Sequence, residues 1–185
     1  LVVLAGCAPE APPSREPGRD FRADMRDLVR RIGRVAREEK PGFLVIPQNG
    51  LELLTEDGRP EGKVTKRYVD SIDGVAQEDL FFGYQGMDRP TPRAVRQRLN
   101  RFAALARQNG LPVLVTDYCR DPAKVERSYA LNHGHGYISF AANSLSLDRI
   151  PPCPERPVRH SCDRVSRLQD ARNFLHLLNL PAFPS

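Results

Sequence analysis

Residues 109–118, NGLPVLVTDY, decide the fold of this chain. The pair Asn109-Gly110 is typical of a helix C-terminus, because both residues readily adopt positive φ. Residues 112–117 form a short run that is mostly apolar and rich in β-branched side chains, which indicates a strand buried on both faces. The stretch closes on an acidic and an aromatic residue. This order of helix, buried strand and polar strand end predicts one unit of a parallel α/β fold.

The same order of elements recurs on both sides of this stretch. Further strands are predicted at 43–47, near 72–75 and at 136–140, and helices at 24–38, within 64–72, from Thr91-Pro92 to Asn109, and from Asp121-Pro122 to about Asn132. Short apolar strands that alternate with amphipathic helices indicate parallel strands. The predicted fold class is therefore α/β, with about four strand–helix units over residues 22–150.

Polar side chains follow the predicted strands directly. They are Gln48-Asn49, Glu78-Asp79, Asp117-Tyr118 and Asn143. The carboxyl ends of parallel strands lie along one edge of a sheet or barrel, and such folds hold their sites there. A loop that only connects two elements needs no carboxylate at this point. We therefore predict a functional role for Glu78-Asp79, whereas helix capping explains Asp121.

The first seven residues, LVVLAGC, form an apolar run that ends in Leu-Ala-Gly-Cys. This run resembles the end of a bacterial lipoprotein signal peptide, in which Cys7 receives the lipid. A short apolar terminus without this role is the alternative. Residues 8–21 are Pro-rich and aperiodic, so we expect a flexible tether. The rest of the chain is then expected in the bacterial cell envelope, lipid-anchored to a membrane and facing the periplasm or the exterior.

Two further cysteines, Cys153 and Cys162, bracket a loop rich in proline and arginine. Because an exported protein meets an oxidising compartment, they are predicted to form a disulfide. A zinc site that combines both with His160 is the alternative, although three irregularly spaced ligands are weak evidence for it. No metal and no cofactor is predicted.

The 185-residue chain carries a formal net charge of +5, and 40% of its residues are hydrophobic, which suffices for a core. Its arginines are spread along predicted helix faces and are expected to be solvated. An anionic partner, such as lipid headgroups or an acidic polymer, is the alternative. Nucleic acid is excluded as a partner, because no basic strand is interleaved with stacking aromatics and tryptophan is absent. No apolar run approaches the roughly 18 residues of a membrane span.

Several separated motifs resemble one known family. They are PGFLVIPQNGLELL (41–54), YVDSIDGVAQEDLFFGYQG (68–86), PVLVTDYC (112–119), GYISFAANSLSLDRIP (136–151) and DARNFLHLLNLPAFPS (170–185). The family is the endo-α-1,4-polygalactosaminidase-like family, glycoside hydrolase family 114. The resemblance covers about residues 22–185, and its motifs stand in the expected order. It implies a (β/α)₈ barrel that hydrolyses galactosamine-containing polysaccharide.

The same resemblance implies a role for Glu78, which matches the family's acid/base glutamate. Such a residue protonates the leaving glycosidic oxygen, so it has to carry its proton near neutral pH. The side chains expected to bind substrate beside it are Gln48, Asn49, Asp79, Tyr84, Asp117, Tyr118 and Asn143. No nucleophile is assigned, because the family's aspartate nucleophile belongs to the half of the barrel that has no match in this chain.

The matched motifs correspond to the second half of the family barrel. We therefore expect residues 22–150 to form a half-barrel, and residues 151–185 to be a linker with a helix that leads to a missing half. A half-barrel exposes its interior and two strand edges, which is costly. The expected partners are consequently a complementary half or a second copy, besides the polysaccharide and the membrane. Two other functions stay open: a non-catalytic carbohydrate-binding or envelope lipoprotein, and a fragment that acts only when paired.

Overall fold

From residue 66 onward, helices and strands alternate along the chain in the order that the sequence predicts. The computed structural model describes residues 18–151, 167–171, 174–176 and 178. The elements in these residues are α1 (Phe21–Glu39), α2 (Lys66–Val69), β1 (Val75–Glu78), α3 (Arg93–Gln108), β2 (Val113–Tyr118), α4 (Pro122–His135) and β3 (Ile138–Ala142). The chain divides into a first unit, residues 1–75 and 101–111, and a second unit, residues 76–100 and 112–185.

The main helix of the first unit is α1. Its N-terminus is capped by Asp20, whose Oδ1 accepts hydrogen bonds from the backbone N–H groups of Arg22 (3.0 Å) and Ala23 (3.1 Å). The helix ends before Pro41-Gly42, as the sequence predicts. The inner face of α1 buries Arg26, Val29 and Gly33, and Gly33 packs closely against its neighbours.

The predicted strand at 43–47 is wrong. Val45 makes only an isolated bridge in this segment, and its N–H donates to Asp73 Oδ2 at 2.7 Å. The backbone N–H of Asp73 in turn donates to the Val45 carbonyl at 2.8 Å, and Arg37 Nη2 holds the same carboxylate at 2.6 Å. Val45 and Ile46 are therefore buried while Leu44 is exposed, and a side chain takes the hydrogen bond that a neighbouring strand would otherwise make.

The second unit is built on a parallel sheet with strand order β1-β2-β3. In the pairing of β2 with β3, Thr116 lies opposite Phe140 and Tyr118 opposite Ala142. Side chains alternate between the two faces of a strand, so Thr116 and Tyr118 share one face and Asp117 points to the other. The face of Asp117 is the one on which α4 packs.

The other predicted strands form close to their expected places. The strand expected near 72–75 begins at Val75 and continues to Glu78, so Glu78 is the last residue of a strand. The strands expected at 112–117 and 136–140 are β2 and β3, each displaced by one or two residues. The described residues thus show a parallel α/β arrangement with three strands instead of four, and they do not form a closed barrel. No helix in this part of the chain is long and apolar enough to span a membrane.

Candidate functional site

Glu78 and Tyr118 meet at the carboxyl ends of neighbouring strands. Glu78 closes β1 and Tyr118 closes β2, and the Tyr118 hydroxyl donates a hydrogen bond to Glu78 Oε1. Tyr118 is buried, whereas Glu78 stays partly exposed. Burial, followed by the hydrogen bond to Glu78, raises the pKa of Tyr118. The phenol therefore keeps its proton near neutral pH and holds the carboxylate in one orientation.

Asp79 follows at once and adopts a left-handed backbone conformation, with φ of 54°. Its N–H donates to the Thr116 carbonyl at 3.0 Å, and its own carbonyl accepts from Thr91 Oγ1 at 2.5 Å. These bonds hold a backbone shape that non-glycine residues seldom adopt. They also turn the carboxyl group of Asp79 into the protein beside Glu78.

The carboxyl group of Asp79 has an unusual environment. Its Oδ1 is buried and has no hydrogen-bond partner among the described residues. Burial raises the pKa of Asp79 to about 7, and the negative charges of Glu78 and Asp117 add to that shift. Asp79 thus keeps its proton to a higher pH than an ordinary carboxyl group, and it is next to Glu78 in the sequence.

The raised pKa of Asp79 predicts a pH-dependent stability. The pKa of about 7 in the folded chain lies above the ordinary value of 3.8, so folding binds a proton between these two pH values. The free energy of unfolding therefore falls as the pH rises through this window. We expect Asp79 to change the free energy of unfolding by about 1–2 kcal/mol across this window. The change is this small because solvent screens a partly exposed carboxyl group. Urea unfolding at both ends of the window measures it, and Asp79→Asn should remove that part. An equal pH dependence in both proteins would contradict it.

Gly83 makes room for the Asp79 side chain. Its φ is 122°, and a Cβ placed there would lie 2.1 Å from Asp79 Oδ1 and 2.9 Å from Tyr118 Cδ2. Glycine is required at this position for two reasons, the positive φ and the closeness of the two side chains. The loop after β1 is thus built around the Asp79 carboxyl group.

We predict that Gly83→Ala destabilises the chain by about 1–3 kcal/mol, from backbone strain and the displaced Asp79. Gly134→Ala in α4 is the matched control, because a Cβ there meets no atom within 4 Å. In a helix that change should leave the stability equal or raise it by about 1 kcal/mol. Thermal unfolding followed by circular dichroism compares the two variants. Equal melting temperatures for both would show that Gly83 has no such role.

Asp117 faces away from Glu78 and is completely buried. Its Oδ1 accepts from the backbone N–H groups of Phe81 (2.9 Å) and Phe82 (3.1 Å). Its Oδ2 accepts from Ser128 Oγ (2.6 Å) and Asn132 Nδ2 (3.1 Å), both on α4. Burial raises the pKa of Asp117, and these four hydrogen bonds oppose the shift. Asp117 thus ties the loop after β1 to α4 and offers no oxygen to a substrate in this conformation.

His176 is a buried member of the site that the sequence analysis did not single out. Its Nδ1 lies 3.3 Å from Thr116 Oγ1, and its Nε2 has no partner among the described residues. Burial lowers the pKa of His176, and the charge of Glu78 opposes that change. The imidazole is therefore neutral near pH 7. A single histidine within the apolar segment NFLHLL gave no pattern by which to recognise it.

An apolar cluster supports this face of the sheet. Tyr118 packs with Phe140 and Leu147, and Phe174 lies against them with its ring centroid 5.8 Å from that of Phe140. The backbone N–H of Leu178 donates to the Leu147 carbonyl at 3.1 Å. The described part of the segment 174–178 therefore lies over the same face that carries Thr116 and Tyr118.

The remaining predicted site residues are placed as follows. Tyr84 lies partly buried in the loop between β1 and α3, and Asn143 directly follows β3 with its Oδ1 buried and unpaired among the described residues. Gln48 and Asn49 belong to the first unit, where Gln48 is buried and Asn49 has φ of 60°. The structure thus brings Glu78, Asp79 and Tyr118 together. Tyr84 and Asn143 lie in the same unit as these three.

Three predictions concern residues outside the described part of the chain. They are the lipid on Cys7, the disulfide between Cys153 and Cys162, and the zinc alternative that adds His160. Within residues 18–151 and the short described segments after them, no three His, Cys, Asp or Glu side chains are grouped to hold a metal ion. Cys119 is a free, buried thiol whose pKa is raised by burial to about 12.

This arrangement is suited to proton transfer. Two acidic residues are adjacent in the sequence at a strand end: Glu78 accepts a hydrogen bond from a phenol, and the pKa of Asp79 is raised to about 7. A group that acts as a general acid has to hold a proton at the working pH and reach the reacting oxygen. The partly exposed Glu78-Asp79 pair meets the first requirement through Asp79, and its exposure gives access to a bound molecule.

Comparisons with known proteins give relatives without an assigned activity. No family model matches the chain. The chain is similar to an uncharacterized protein of Deinococcus radiodurans, at 29% identity over 129 residues that make up 70% of this chain and 38% of the relative. It is likewise 29% identical to an uncharacterized protein of Thermotoga maritima over 136 residues, 68% of this chain and 38% of that relative. The chain therefore spans less than two-fifths of the length of these relatives.

Proposed function

We propose that this chain belongs to an exported glycoside hydrolase that cleaves α-1,4-linked galactosamine-containing polysaccharide, with Glu78 as the catalytic acid. The observation that carries the proposal is the pair of carboxyl groups, Glu78 and Asp79, at the carboxyl end of a parallel strand. Parallel α/β folds hold their catalytic residues at such strand ends. The motif resemblance supplies the substrate class, and the geometry supports acid–base chemistry at this position.

Each neighbour of Glu78 has a task in this proposal. Tyr118 fixes the orientation of the Glu78 carboxyl group through its hydrogen bond, and Asp79 supplies a proton-bearing neighbour near neutral pH. Glycoside hydrolysis needs a second carboxyl group, about 5–9.5 Å from the first, as nucleophile or base. Asp117 is not that group, because all four of its hydrogen bonds are internal and it is fully buried. We propose that the second carboxylate comes from further polypeptide that completes a (β/α)₈ barrel.

The remaining parts of the proposal concern location and partners. The LVVLAGC segment supports a lipid anchor on Cys7 and a place in the bacterial cell envelope, with residues 8–21 as the tether. Sugar hydrogen bonds would come from Tyr84 and Asn143, which lie in the second unit together with Glu78. The polysaccharide is then the substrate, and a complementary half or a second copy supplies the rest of the barrel.

Non-catalytic carbohydrate binding is the second candidate function. The burial of Asp117 favours it, because among the described residues the site then offers only the carboxyl groups at the end of β1. A single strand end that binds sugar without cleaving it would suffice for an envelope lipoprotein.

One experiment separates the two functions. The longest polypeptide that contains this chain is incubated with partly deacetylated α-1,4-galactosaminoglycan, and new reducing ends are counted. In parallel, retention of the protein on the immobilised polymer is measured. Release of reducing ends supports the hydrolase. Retention without release favours the binding function, and neither release nor retention would refute both.

A further inference from the structure

The outer face of α1 carries an apolar stripe with coiled-coil spacing, independent of the site in the second unit. The stripe consists of Phe21, Met25, Leu28, Ile32 and Val35, at alternating intervals of four and three residues. Four of its members are 42–52% exposed, and Ile32 is partly buried. The buried residues of the helix lie on a different face. A solvated helix face is normally polar, so this stripe is a helix-packing surface that the described residues leave about half exposed.

The spacing favours another helix as the occupant of the stripe. Residues that alternate at four and three positions form the seam of a coiled coil, in which the residues at its flanks select the partner. On one flank of the stripe the charges alternate in sign, with Asp24, Arg31 and Glu38 at seven-residue intervals. A surface of mixed sign suits a protein helix better than an anionic bilayer, which attracts uniformly basic faces.

We infer that the stripe pairs with the same stripe of a second copy of this chain, in antiparallel orientation. When Leu28 of one copy packs against Met25 of the other, Ile32 packs against Phe21 by the same twofold symmetry. In that register Arg31 of each copy comes beside Asp24 of the other, so two identical ion pairs flank the seam. The stripe is therefore complementary to itself in both shape and charge.

The space beside the seam agrees with this register. An open cleft of about 740 Å³ lies next to Leu28 and is lined by two aspartates, Asp24 and Asp27, and by five arginines, Arg31 among them. Asp24 already contacts Arg19 at 2.6 Å, but that pair is about half exposed on both sides. The Asp24 carboxylate can therefore accept a second cation from a neighbouring copy without the loss of a buried contact.

The size of the stripe sets the expected strength of the dimer. Four half-exposed side chains and the partly buried Ile32 bury less than the roughly 800 Å² per partner that is typical of stable interfaces, so we expect a dissociation constant on the order of 10–100 µM. Sedimentation equilibrium of the full chain, under reducing conditions to prevent intermolecular disulfides, should show a reversible monomer–dimer equilibrium in this range.

Two kinds of variant test the interface. Leu28→Glu should weaken the dimer by more than about tenfold, because it places a charge in the seam. Leu145→Glu is the matched control, since Leu145 is an equally exposed leucine, at 56%, outside α1. Asp24→Arg and Arg31→Asp should each weaken the dimer by about tenfold, and the double exchange should restore it to within about threefold, because it re-forms both ion pairs. Circular dichroism verifies that every variant is folded.

The inference fails under any of three results. One is a monomer at every concentration up to about ten times the expected dissociation constant. Another is a dimer that Leu28→Glu does not weaken or that the double charge exchange does not restore. The third is a monomer that binds vesicles of anionic phospholipid through the stripe, which would make the membrane its occupant.

Discussion

Replacement of Glu78 by glutamine is expected to lower the rate of polysaccharide hydrolysis by roughly 10²–10⁴-fold, the usual contribution of a general acid. Glutamine keeps the size of the side chain, and its carbonyl oxygen can still accept the hydrogen bond that Tyr118 donates to Glu78. It has no acidic proton to give to the glycosidic oxygen. The fold should therefore survive while the chemical step is lost. The measurement is the initial rate of reducing-end release by the longest polypeptide that contains the chain.

Two further variants are compared with Glu78→Gln. Asp79→Asn should reduce the rate less than Glu78→Gln if Asp79 serves only as a proton-bearing neighbour. Glu56→Gln is the matched control, because Glu56 is an exposed glutamate in the first unit that pairs with Lys63. Its loss should leave the rate unchanged. Full activity of the Glu78→Gln protein would remove Glu78 from the reaction, and a larger loss for Asp79→Asn would make Asp79 the acid.

Tyr118→Phe separates positioning from catalysis at the same site. The phenol contacts Glu78 but has no acidic role in the proposal, since burial raises its pKa. If Tyr118 only orients the carboxyl group of Glu78, Tyr118→Phe should lower the rate less than Glu78→Gln does. It should also shift the pH profile of the rate. The hydrogen bond from Tyr118 thus affects the rate only through Glu78.

The sequence predicted those elements whose pattern is local. The apolar runs at 112–117 and 136–140 became β2 and β3, and the Asp121-Pro122 start became the first turn of α4. In the last case the Asp121 side chain accepts hydrogen bonds from two backbone N–H groups, as a helix cap should. Periodicity and capping act within a few residues, so a sequence shows them directly.

The predictions failed where a distant side chain decided the outcome. The run 43–47 has the composition of a buried strand, but Asp73, some thirty residues later, takes the hydrogen bond of Val45. His176 could not be recognised either, because its place beside Thr116 depends on the path of the chain over sixty residues. Such long-range contacts leave no periodic trace in the sequence.

The two acidic strand ends show a further limit of sequence analysis. Glu78 and Asp117 both stand at the carboxyl end of a strand, and sequence analysis predicts that both face the substrate. The alternation of side chains then separates them: Glu78 meets Tyr118 on one face, while Asp117 points to α4 on the other. A strand boundary moved by a single residue exchanges the two faces, and sequence patterns do not place boundaries that closely.

Asp117→Ala is expected to destabilise the chain by about 3–5 kcal/mol, because it leaves several buried donors without an acceptor. The donors are the two backbone N–H groups of the loop after β1 and the side chains of Ser128 and Asn132. The carboxylate lies at a position with no solvent exposure, so bulk water does not reach these donors in the native chain. Urea unfolding followed by far-ultraviolet circular dichroism measures the loss, with Asp70→Ala as the control for an exposed aspartate.

Asp117→Asn should lower the free energy of unfolding by less, about 1–2 kcal/mol, because asparagine can keep part of the hydrogen bonds. The amide oxygen can still accept from the backbone N–H groups of Phe81 and Phe82, but the new NH₂ group would face two donors on α4. Asn132 Oδ1 has no hydrogen-bond partner in the described part of the chain, so rotation of this amide by half a turn would present an acceptor to that NH₂ group. The Ser128 hydroxyl can likewise turn from donor to acceptor. Equal losses for alanine and asparagine would show that no such rearrangement occurs, and a loss below about 1 kcal/mol for alanine would contradict the structural role of Asp117.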